Sequence, residues 1–293
     1  LLQLYARPFW DGNGSKPGVP LRLKGNTGSD NYALARATVA EVYTQILADL
    51  NFAETNLPTT NSSAFNNTTR AHRNTAIALK TRVYLSMRRY ADVITEANKI
   101  VSASAPFTAT SGVAHALQVD VTNVFKAPYT TTESIFSMPF ASNEAPGGQN
   151  QLGYYYGPAA FNGGNGEYSL LSTGIVSNTG WKTTDRRRAM VGVYGGKSYL
   201  TKYSIPSIFT DYAPVIRYAE VLLNLAEARV RSTNTVDAQA IALLNAVRGR
   251  SDASTVFTAA DFANSDALAN AILTERRIEL LGEGLAGADL TRL

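Results

Sequence analysis

The side chains best suited to chemistry in this chain are aromatic rings that lie in glycine-rich loops. Trp10 falls in the loop Phe9–Gly14 beside Asn13, and Trp181 directly follows Gly180. Flat rings can cover the weakly polar CH faces of a sugar at low entropic cost, while amide and charged side chains answer its hydroxyls. The predicted ligand-binding residues are Trp10, Asn13, Tyr154, Tyr156, Tyr168 and Trp181.

Three of the aromatic candidates belong to one tyrosine-rich stretch. Tyr154, Tyr155 and Tyr156 are consecutive and precede Gly157, and Tyr168 follows a second run of glycines. In an extended segment Tyr154 and Tyr156 would share one side while Tyr155 would face the other. For any single ring the alternative is a loop anchor packed on the body of the protein, since buried aromatic rings usually fill space.

Loop carboxylates are the second candidate group, because a glycosidase needs two of them facing one cleft. None of the acids has a characteristic pattern of neighbours, and spacing along the chain cannot show a pair. We therefore predict that the protein is not an enzyme. The acids in question are Asp11, Asp30, Glu144, Glu167, Asp185 and Asp211.

Composition narrows the chemistry further. The chain has no cysteine, which excludes disulfides, thiolate metal sites and a cysteine nucleophile. His72 and His115 are far apart in sequence, so a histidine metal site or a Ser-His-Asp triad is not expected; a surface or capping role is predicted for both. We predict no bound metal and no cofactor.

The charge pattern argues against nucleic acid as a partner. The formal net charge is only +4 over 293 residues, and the basic residues are scattered. The triplet Arg186–Arg188 is interpreted as a solvated turn. Gly195–Ser198 resembles the end of a phosphate-binding loop, but Val191 stands where the upstream glycine is required, so nucleotide binding is not predicted.

These candidate residues must be positioned by a frame that the hydrophobic periodicity predicts to be helical. Apolar residues recur every three or four positions in several blocks, and one block has capping-box spacing at Thr38 and Glu41. Residues from about 102 to 212 lack that periodicity, with strand-like runs at Ser134–Phe140 and Ser198–Tyr203. The predicted helical blocks are Arg36–Pro58, two helices within Arg70–Val101 joined by a turn at Arg88–Tyr90, Pro214–Ala228, Val236–Arg248 and Ser265–Leu281.

The helix that begins near Pro214 is apolar on most of its circumference but carries one polar stripe. A charged stripe on a buried helix needs partners, because unpaired buried charge is costly. We interpret the stripe as part of a structural ion-pair network; a catalytic carboxylate pair is the alternative. The stripe comprises Arg217, Glu220, Asn224 and Glu227, and the predicted partners are Arg248, Glu275, Arg276, Arg277 and Glu279.

Three segments carry a resemblance to a known family. PVIRYAEVLLNLAEA (214–228), ALLNAVRGRS (242–251) and ILTERRIELLGEG (272–284) occur in an order that resembles the C-terminal half of the SusD/RagB family. The helical pair within Arg70–Val101 resembles a tetratricopeptide hairpin, which buries its face by stacking on neighbours. The resemblance is clear over Arg36–Val101 and Pro214–Arg292 and weak across the middle.

The resemblance implies both a fold and a function. Members of this family are surface lipoproteins of Bacteroidetes that capture nutrients, such as oligosaccharides, for an outer-membrane transporter. The implied fold is mainly α, a tetratricopeptide-like α-α superhelix with a large loop-rich insertion that contains minor β-structure. We expect a single domain over residues 1–293, with the scaffold at about 1–101 and 213–293 and the ligand-binding insertion at about 102–212.

The implied partners are an oligosaccharide and a SusC-like TonB-dependent transporter, at the cell outer membrane. Contact with the membrane would come only through an N-terminal lipid anchor that this chain does not contain, since the chain is interpreted as a segment trimmed at both ends. Three alternatives remain open: a peptide-capturing RagB-like protein, a tetratricopeptide-like protein-interaction scaffold and a glycoside hydrolase.

One stretch departs from the family pattern. Members usually place an arginine and large aromatic residues between Glu283-Gly284 and the Asp-Leu pair, whereas this chain has Ala286, Gly287 and Ala288 before Asp289. The departure predicts looser or rearranged packing near the end of the chain and the loss of a paired arginine contact.

Overall fold

The computed structural model describes residues 2–25, 27–28, 32–144 and 151–293. The described part is mainly helical, which confirms the predicted fold class, and short 3-10 turns lie between several elements. The α-helices are α1 (Leu2–Tyr5), α2 (Val39–Asn56), α3 (Ala64–Thr69), α4 (Arg73–Ser86), α5 (Tyr90–Ala97), α6 (Leu152–Tyr156), α7 (Ala159–Asn162), α8 (Tyr218–Thr233), α9 (Ala238–Gly249), α10 (Ser265–Glu279) and α11 (Ala286–Arg292).

The described strands form small antiparallel sheets. One sheet pairs β1 with β2, a second pairs β3 with β7, and a third has the order β4-β6-β5. The glycines at 195 and 196 make the turn between β5 and β6, so the sequence that resembled a phosphate-binding loop is a hairpin. The strands are β1 (Pro17–Pro20), β2 (Arg36–Thr38), β3 (Ser134–Met138), β4 (Ser169–Leu170), β5 (Val191–Tyr194), β6 (Lys197–Leu200) and β7 (Ala213–Arg217).

Helix α8 forms the centre of the core. It is apolar on most of its surface, and a helix of this kind must be covered on nearly every side. It packs against α4, α5, α9 and α10, and Val221, Leu222 and Leu225 are completely buried. Helices α4, α5, α9 and α10 therefore surround α8, and α2 packs on α4 outside them.

The start of α2 and the turn between α4 and α5 are determined by nearby residues, as predicted. Thr38 Oγ1 accepts a hydrogen bond from the Glu41 amide at 3.1 Å, and Glu41 Oε2 accepts one from the Thr38 amide at 2.7 Å, which completes the capping box. Helices α4 and α5 form the predicted hairpin, with Arg88 in a left-handed conformation at the turn (φ 57°). Helix α3 was not predicted; Ser63 caps it by accepting from the Asn66 amide.

A buried ion-pair network ties α10 to the rest of the frame. Glu279 accepts hydrogen bonds from Arg187 (2.8 Å), Arg217 (2.9 Å) and Arg250 (2.6 Å). Burial by itself raises the pKa of Glu279, but these arginines, Arg250 foremost, hold it well below its ordinary value. Each charge in this dry interior is balanced by a bonded partner, which is the condition for keeping such a network buried.

The predicted polar stripe is fully paired, which confirms the structural network. Its first member, Arg217, ends β7 and is the N-cap of α8, so the helix begins at Tyr218 and not near Pro214. Arg217 bonds Glu279, and Asn224 lies between Thr81 and Arg276. Several partners were missed: Glu220 pairs with Arg82, Glu227 pairs with Arg292 and Arg231, and Arg217 also pairs with Glu133 and Glu283.

Of the predicted partners, Arg248 and Glu275 bond each other rather than the stripe, and Arg277 was also wrongly included. It is exposed on the outer side of α10, whereas Glu275, Arg276 and Glu279 face inward. Successive residues of a helix are rotated by about 100°, so Arg277 lies about 200° around the helix from Glu275 and falls on the opposite, exposed side.

Two further expectations about charged and titratable residues were wrong. The triplet Arg186–Arg188 is not a solvated turn, since Arg187 is buried and bonds Asp185, Glu275 and Glu279. The predicted surface or capping role fails for His115, which is buried; His72 does occupy the N-cap position of α4 but is also buried.

The two imidazoles stack on each other, with ring centroids 5.3 Å apart. His115 Nδ1 lies 3.0 Å from the Thr132 carbonyl oxygen. Burial lowers the pKa of both histidines, and that of His115 falls to about 4. Both rings are therefore neutral in the folded protein near neutral pH.

Candidate functional site

Three tyrosines of the loop-rich middle region come together at the surface. The ring centroid of Tyr168 lies 5.6 Å from that of Tyr155 and 6.0 Å from that of Tyr156. Tyr168 is 56% exposed, and the other two rings are half-buried behind it. We call Tyr155, Tyr156 and Tyr168 the tyrosine group.

The segment between α6 and β4 holds the tyrosine group in place by close backbone packing. A Cβ atom at Gly164 would lie 2.2 Å from the Gly157 carbonyl oxygen, so no larger residue fits there. Asn162 is buried in the same turn, where it donates to the Gly153 carbonyl oxygen and accepts from the Gly164 amide. The turn is therefore rigid, and rigid aromatic platforms lose little entropy on binding.

The tyrosine-rich segment is not extended, because residues 152–156 form α6. On a helix Tyr154 and Tyr156 do not share a side as they would on a strand. Tyr154 instead packs edge-on against Phe209, with ring centroids 5.7 Å apart. Tyr155, which was not a predicted contact, takes the place beside Tyr168.

A cavity of about 300 Å³ opens beside the tyrosine group, and Tyr156 belongs to both. Its other walls come from the end of α10, the turn that follows and the start of α11. This volume is at the lower end of the range found for ligand pockets, about 300–1,000 Å³. The lining residues are Tyr156, Ile175, Arg276, Arg277, Leu280, Leu281, Gly282, Gly284, Leu285, Ala286, Gly287 and Asp289.

The turn after α10 is fastened to the tyrosine side of the cavity. Gly282 has φ 75°, and a Cβ atom there would lie 2.3 Å from Leu200 Cδ2 and 3.6 Å from Tyr156 Cζ. Tyr203 donates a hydrogen bond to the Gly282 carbonyl oxygen at 3.0 Å. Only glycine allows both this left-handed turn and this close approach.

The end of the chain is not loose, contrary to the expectation from Ala286, Gly287 and Ala288. Asp289 accepts hydrogen bonds from Arg276 and Arg292, and these charges lower its pKa against the opposing effect of burial. The small residues leave open space instead: no atom lies within 4 Å of a Cβ atom placed at Gly287.

Trp10 and Asn13 lie on a different part of the surface. Trp10 is 45% exposed; Arg88 covers its ring at 4.5 Å, and its indole donates to the Thr291 carbonyl oxygen. Asn13 is exposed in a left-handed turn with φ 51°. Among the described residues, no ring contact or hydrogen bond joins either residue to the tyrosine group.

Trp181 has no face open to a ligand. It is 3% exposed and packs with Ile175 and Ile278, while the Arg188 guanidinium lies 4.2 Å from the ring centroid. The expectation that it serves as a stacking platform is corrected: it anchors its loop to α10.

The loop carboxylates are mostly occupied or buried. Asp185 is bonded to Arg187, and Asp211 accepts from the Ser204 and Ile205 amides. Burial raises the pKa of Asp211 to about 6. Asp11 pairs with Arg7; Glu167 bonds Asn165; Glu144 is exposed; and Asp30 lies outside the described residues.

Two features are absent from the described part of the chain. In it, no cluster of histidine and carboxylate side chains has the geometry of a metal site. No described helix combines the length and apolar character needed to cross a bilayer.

Comparison with known families agrees with this fold. A profile described as "SusD family" matches residues 81–293, and one described as "Starch-binding associating with outer membrane" matches residues 1–85. Since the first match spans well over half of the sequence, the chain belongs to the SusD family. The family predicted from the three C-terminal segments is confirmed.

Solved structures share the fold. A SusD superfamily protein from Bacteroides fragilis is 31% identical, with a TM-score of 0.79 over 98% of this chain and 62% of the other. A SusD superfamily protein from Bacteroides thetaiotaomicron is 22% identical, with a TM-score of 0.78 over 100% and 63%. Surface glycan-binding protein A from Bacteroides uniformis is 21% identical, with a TM-score of 0.71 over 94% and 61%.

The chain thus spans about three fifths of the length of the structures that it matches. A search among curated proteins finds no match.

Proposed function

We propose that this protein binds an oligosaccharide at the tyrosine group without chemically altering it. The observation that carries the proposal is the exposed ring of Tyr168, backed by Tyr155 and Tyr156 and held by a rigid glycine turn. Tyrosine side chains offer a sugar both apolar faces and hydroxyl groups. Membership of the SusD family and the likeness to a surface glycan-binding protein support this assignment.

The wider role follows from the family rather than from the site. We infer that the protein acts as a lipid-anchored protein on the outer membrane and delivers its ligand to a SusC-like TonB-dependent transporter. In this proposal residues 1–293 work as one domain, in which the helical scaffold carries a ligand-binding insertion at about 102–212. The described loop acids give no support to hydrolysis, because Asp185 and Asp211 are buried in other bonds.

Affinity electrophoresis through gels that contain single polysaccharides tests the binding proposal. Wild type should be retarded by at least one polymer, and Tyr168→Ala should lose most of that retardation. Tyr5→Ala is the matched control, because Tyr5 is 69% exposed and lies outside the tyrosine group. Trp10→Ala, tested in parallel, shows whether the separate surface at Trp10 contributes.

The result that overturns the proposal is retardation that Tyr168→Ala and Tyr5→Ala reduce equally, or none with any polymer. Circular dichroism of each variant establishes that the fold is intact. Binding of unstructured peptides in place of glycans would favour the peptide-capturing alternative, and binding of neither would favour a protein-interaction scaffold.

A further inference from the structure

The cavity beside the tyrosine group has an aromatic wall and a positive charge that has no ion-pair partner among the described residues. Tyr156 forms part of its lining and also contacts Tyr168, so a ligand stacked on the tyrosine group can continue into the cavity. Leu281 and Leu285 add apolar surface, and the small residues Ala286 and Gly287 leave the space open. The cavity thus has the mixed apolar and polar lining that ligand pockets show.

The two arginines of the lining differ in what they have to bond. Arg276 is buried and donates to Asp289 and Asn224, so its charge is already balanced. Arg277 is exposed and makes no hydrogen bond or ion pair to another described residue. Together with Asp289 they leave the lining with one net positive charge, and that charge sits on Arg277.

We propose that this cavity binds a carboxylate-bearing sugar unit, so that the ligand is a uronic-acid-containing oligosaccharide; this rests on the proposed glycan binding. Arg277 donates to the carboxylate, because a guanidinium matches the planar geometry of a carboxylate with two parallel hydrogen bonds. Tyr156 packs against the same unit, and the next sugar stacks on Tyr168.

The charges around the tyrosine group favour one orientation of the bound oligosaccharide. The ring contacts run from Tyr156, which lines the cavity, through Tyr168 to Tyr155. Glu167 bonds Asn165 and lies beside Tyr155, at the end away from the cavity. A carboxylate placed there would be repelled, whereas one placed at Arg277 is attracted. The acidic unit therefore lies in the cavity and a neutral stretch lies near Tyr155.

The test compares polyuronates with their carboxyl-reduced forms in the same electrophoresis. The polymers are polygalacturonate, alginate and hyaluronan, each run beside its reduced, neutral counterpart. Wild type should bind at least one acidic polymer about tenfold more tightly than its counterpart, and Arg277→Gln should remove that preference. Arg70→Gln is the matched control for net charge, because Arg70 is exposed and lies outside the cavity lining.

A second pair of variants tests the cavity by filling it. Gly287→Phe should abolish acidic binding while leaving the fold intact, since its side chain enters open space. Gly249→Phe is the control, because Gly249 is also helical and has no atom within 4 Å of a Cβ atom. Unaltered acidic binding in Gly287→Phe would exclude the cavity as the site.

The outcomes separate this inference from the proposed function. Tyr168-dependent binding of neutral polymers with no preference for the acidic forms overturns the inference and leaves glycan binding standing. An acidic preference that Arg277→Gln and Arg70→Gln reduce equally reflects overall charge and also overturns it. Absence of binding to every polymer, neutral or acidic, overturns both.

Discussion

The two sides of α10 handle charge in opposite ways. On the inner side Glu275 and Glu279 are buried and each is bonded to arginines from other parts of the chain. On the outer side Arg277 faces the cavity without a partner among the described residues. The comparison teaches that groups satisfied by the protein stabilise it, whereas groups that it leaves unsatisfied are available to a ligand.

The largest loss of stability should come from breaking the buried ion pairs on the inner side of α10. Glu279→Gln keeps the shape but removes the negative charge that Arg187, Arg217 and Arg250 share. Each arginine keeps another carboxylate but loses one buried partner, and breaking buried pairs in this way costs about 3–5 kcal/mol, which urea unfolding would measure.

The control for that experiment is Asp92→Asn, which breaks an exposed pair with Arg89. Surface pairs of this kind contribute at most about 1 kcal/mol. If both substitutions lowered the free energy of unfolding equally, the buried network would not be what holds α10 in place.

Replacing the two tryptophans should lower the free energy of unfolding by different amounts. Trp181→Ala empties a buried site between Ile175 and Ile278 and should lower the free energy of unfolding by about 3 kcal/mol. Trp10→Ala removes a half-exposed ring with one hydrogen bond and the contact with Arg88, so a loss of about 1–2 kcal/mol is expected. Thermal denaturation of the pair checks the order, which equal losses would contradict.

Acid should weaken the frame through the stacked histidines. The pKa of His115 in the folded protein, about 4, lies below its ordinary value. Its contribution is therefore fully present above about pH 6.5 and is lost as the pH falls toward 4. Between pH 7.5 and pH 5 this loss is about 2 kcal/mol.

His115→Gln isolates that contribution, because glutamine does not titrate. The difference in unfolding free energy between wild type and variant should shrink by about 2 kcal/mol from pH 7.5 to pH 5. Asp211, whose raised pKa acts in the opposite sense, is present in both proteins and cancels. A difference that stays constant over this range would mean that the buried ring is not forced to be neutral.

The smallest effect on stability should come from the tyrosine group. Tyr168 is mostly exposed, so Tyr168→Ala should change the free energy of unfolding by no more than about 0.5 kcal/mol. Its effect on glycan retardation should nevertheless be the largest of all these substitutions. A variant that loses both stability and binding would show that Tyr168 supports the loop rather than the ligand.

The sequence predicted well whatever depends on nearby residues. Helix α2 and its capping box were predicted because Thr38 and Glu41 are three residues apart, and α8 because its apolar positions recur each turn. The polar stripe predicted a buried ion-pair network, because a buried charge requires a partner wherever in the sequence that partner lies.

The middle region was harder because its contacts join residues distant in sequence. Arg187 meets Glu275 and Glu279 across nearly 90 positions, and no periodicity marks it as buried. Trp181 in a glycine-rich loop has the same local pattern whether its ring faces a ligand or α10. Had residues 152–156 been predicted as a helix, the shared side of Tyr154 and Tyr156 would not have been expected.

The position of Arg277 on α10 has a consequence for how the proposed ligand specificity could evolve. Because the inner residues of the helix hold the fold, the outer ones can be exchanged singly without disturbing it. Gly287 and Ala286 are equally free, since the space beside them is empty. Under the proposed binding mode, selection for a different sugar would act on these residues one substitution at a time, and each intermediate would remain a folded protein.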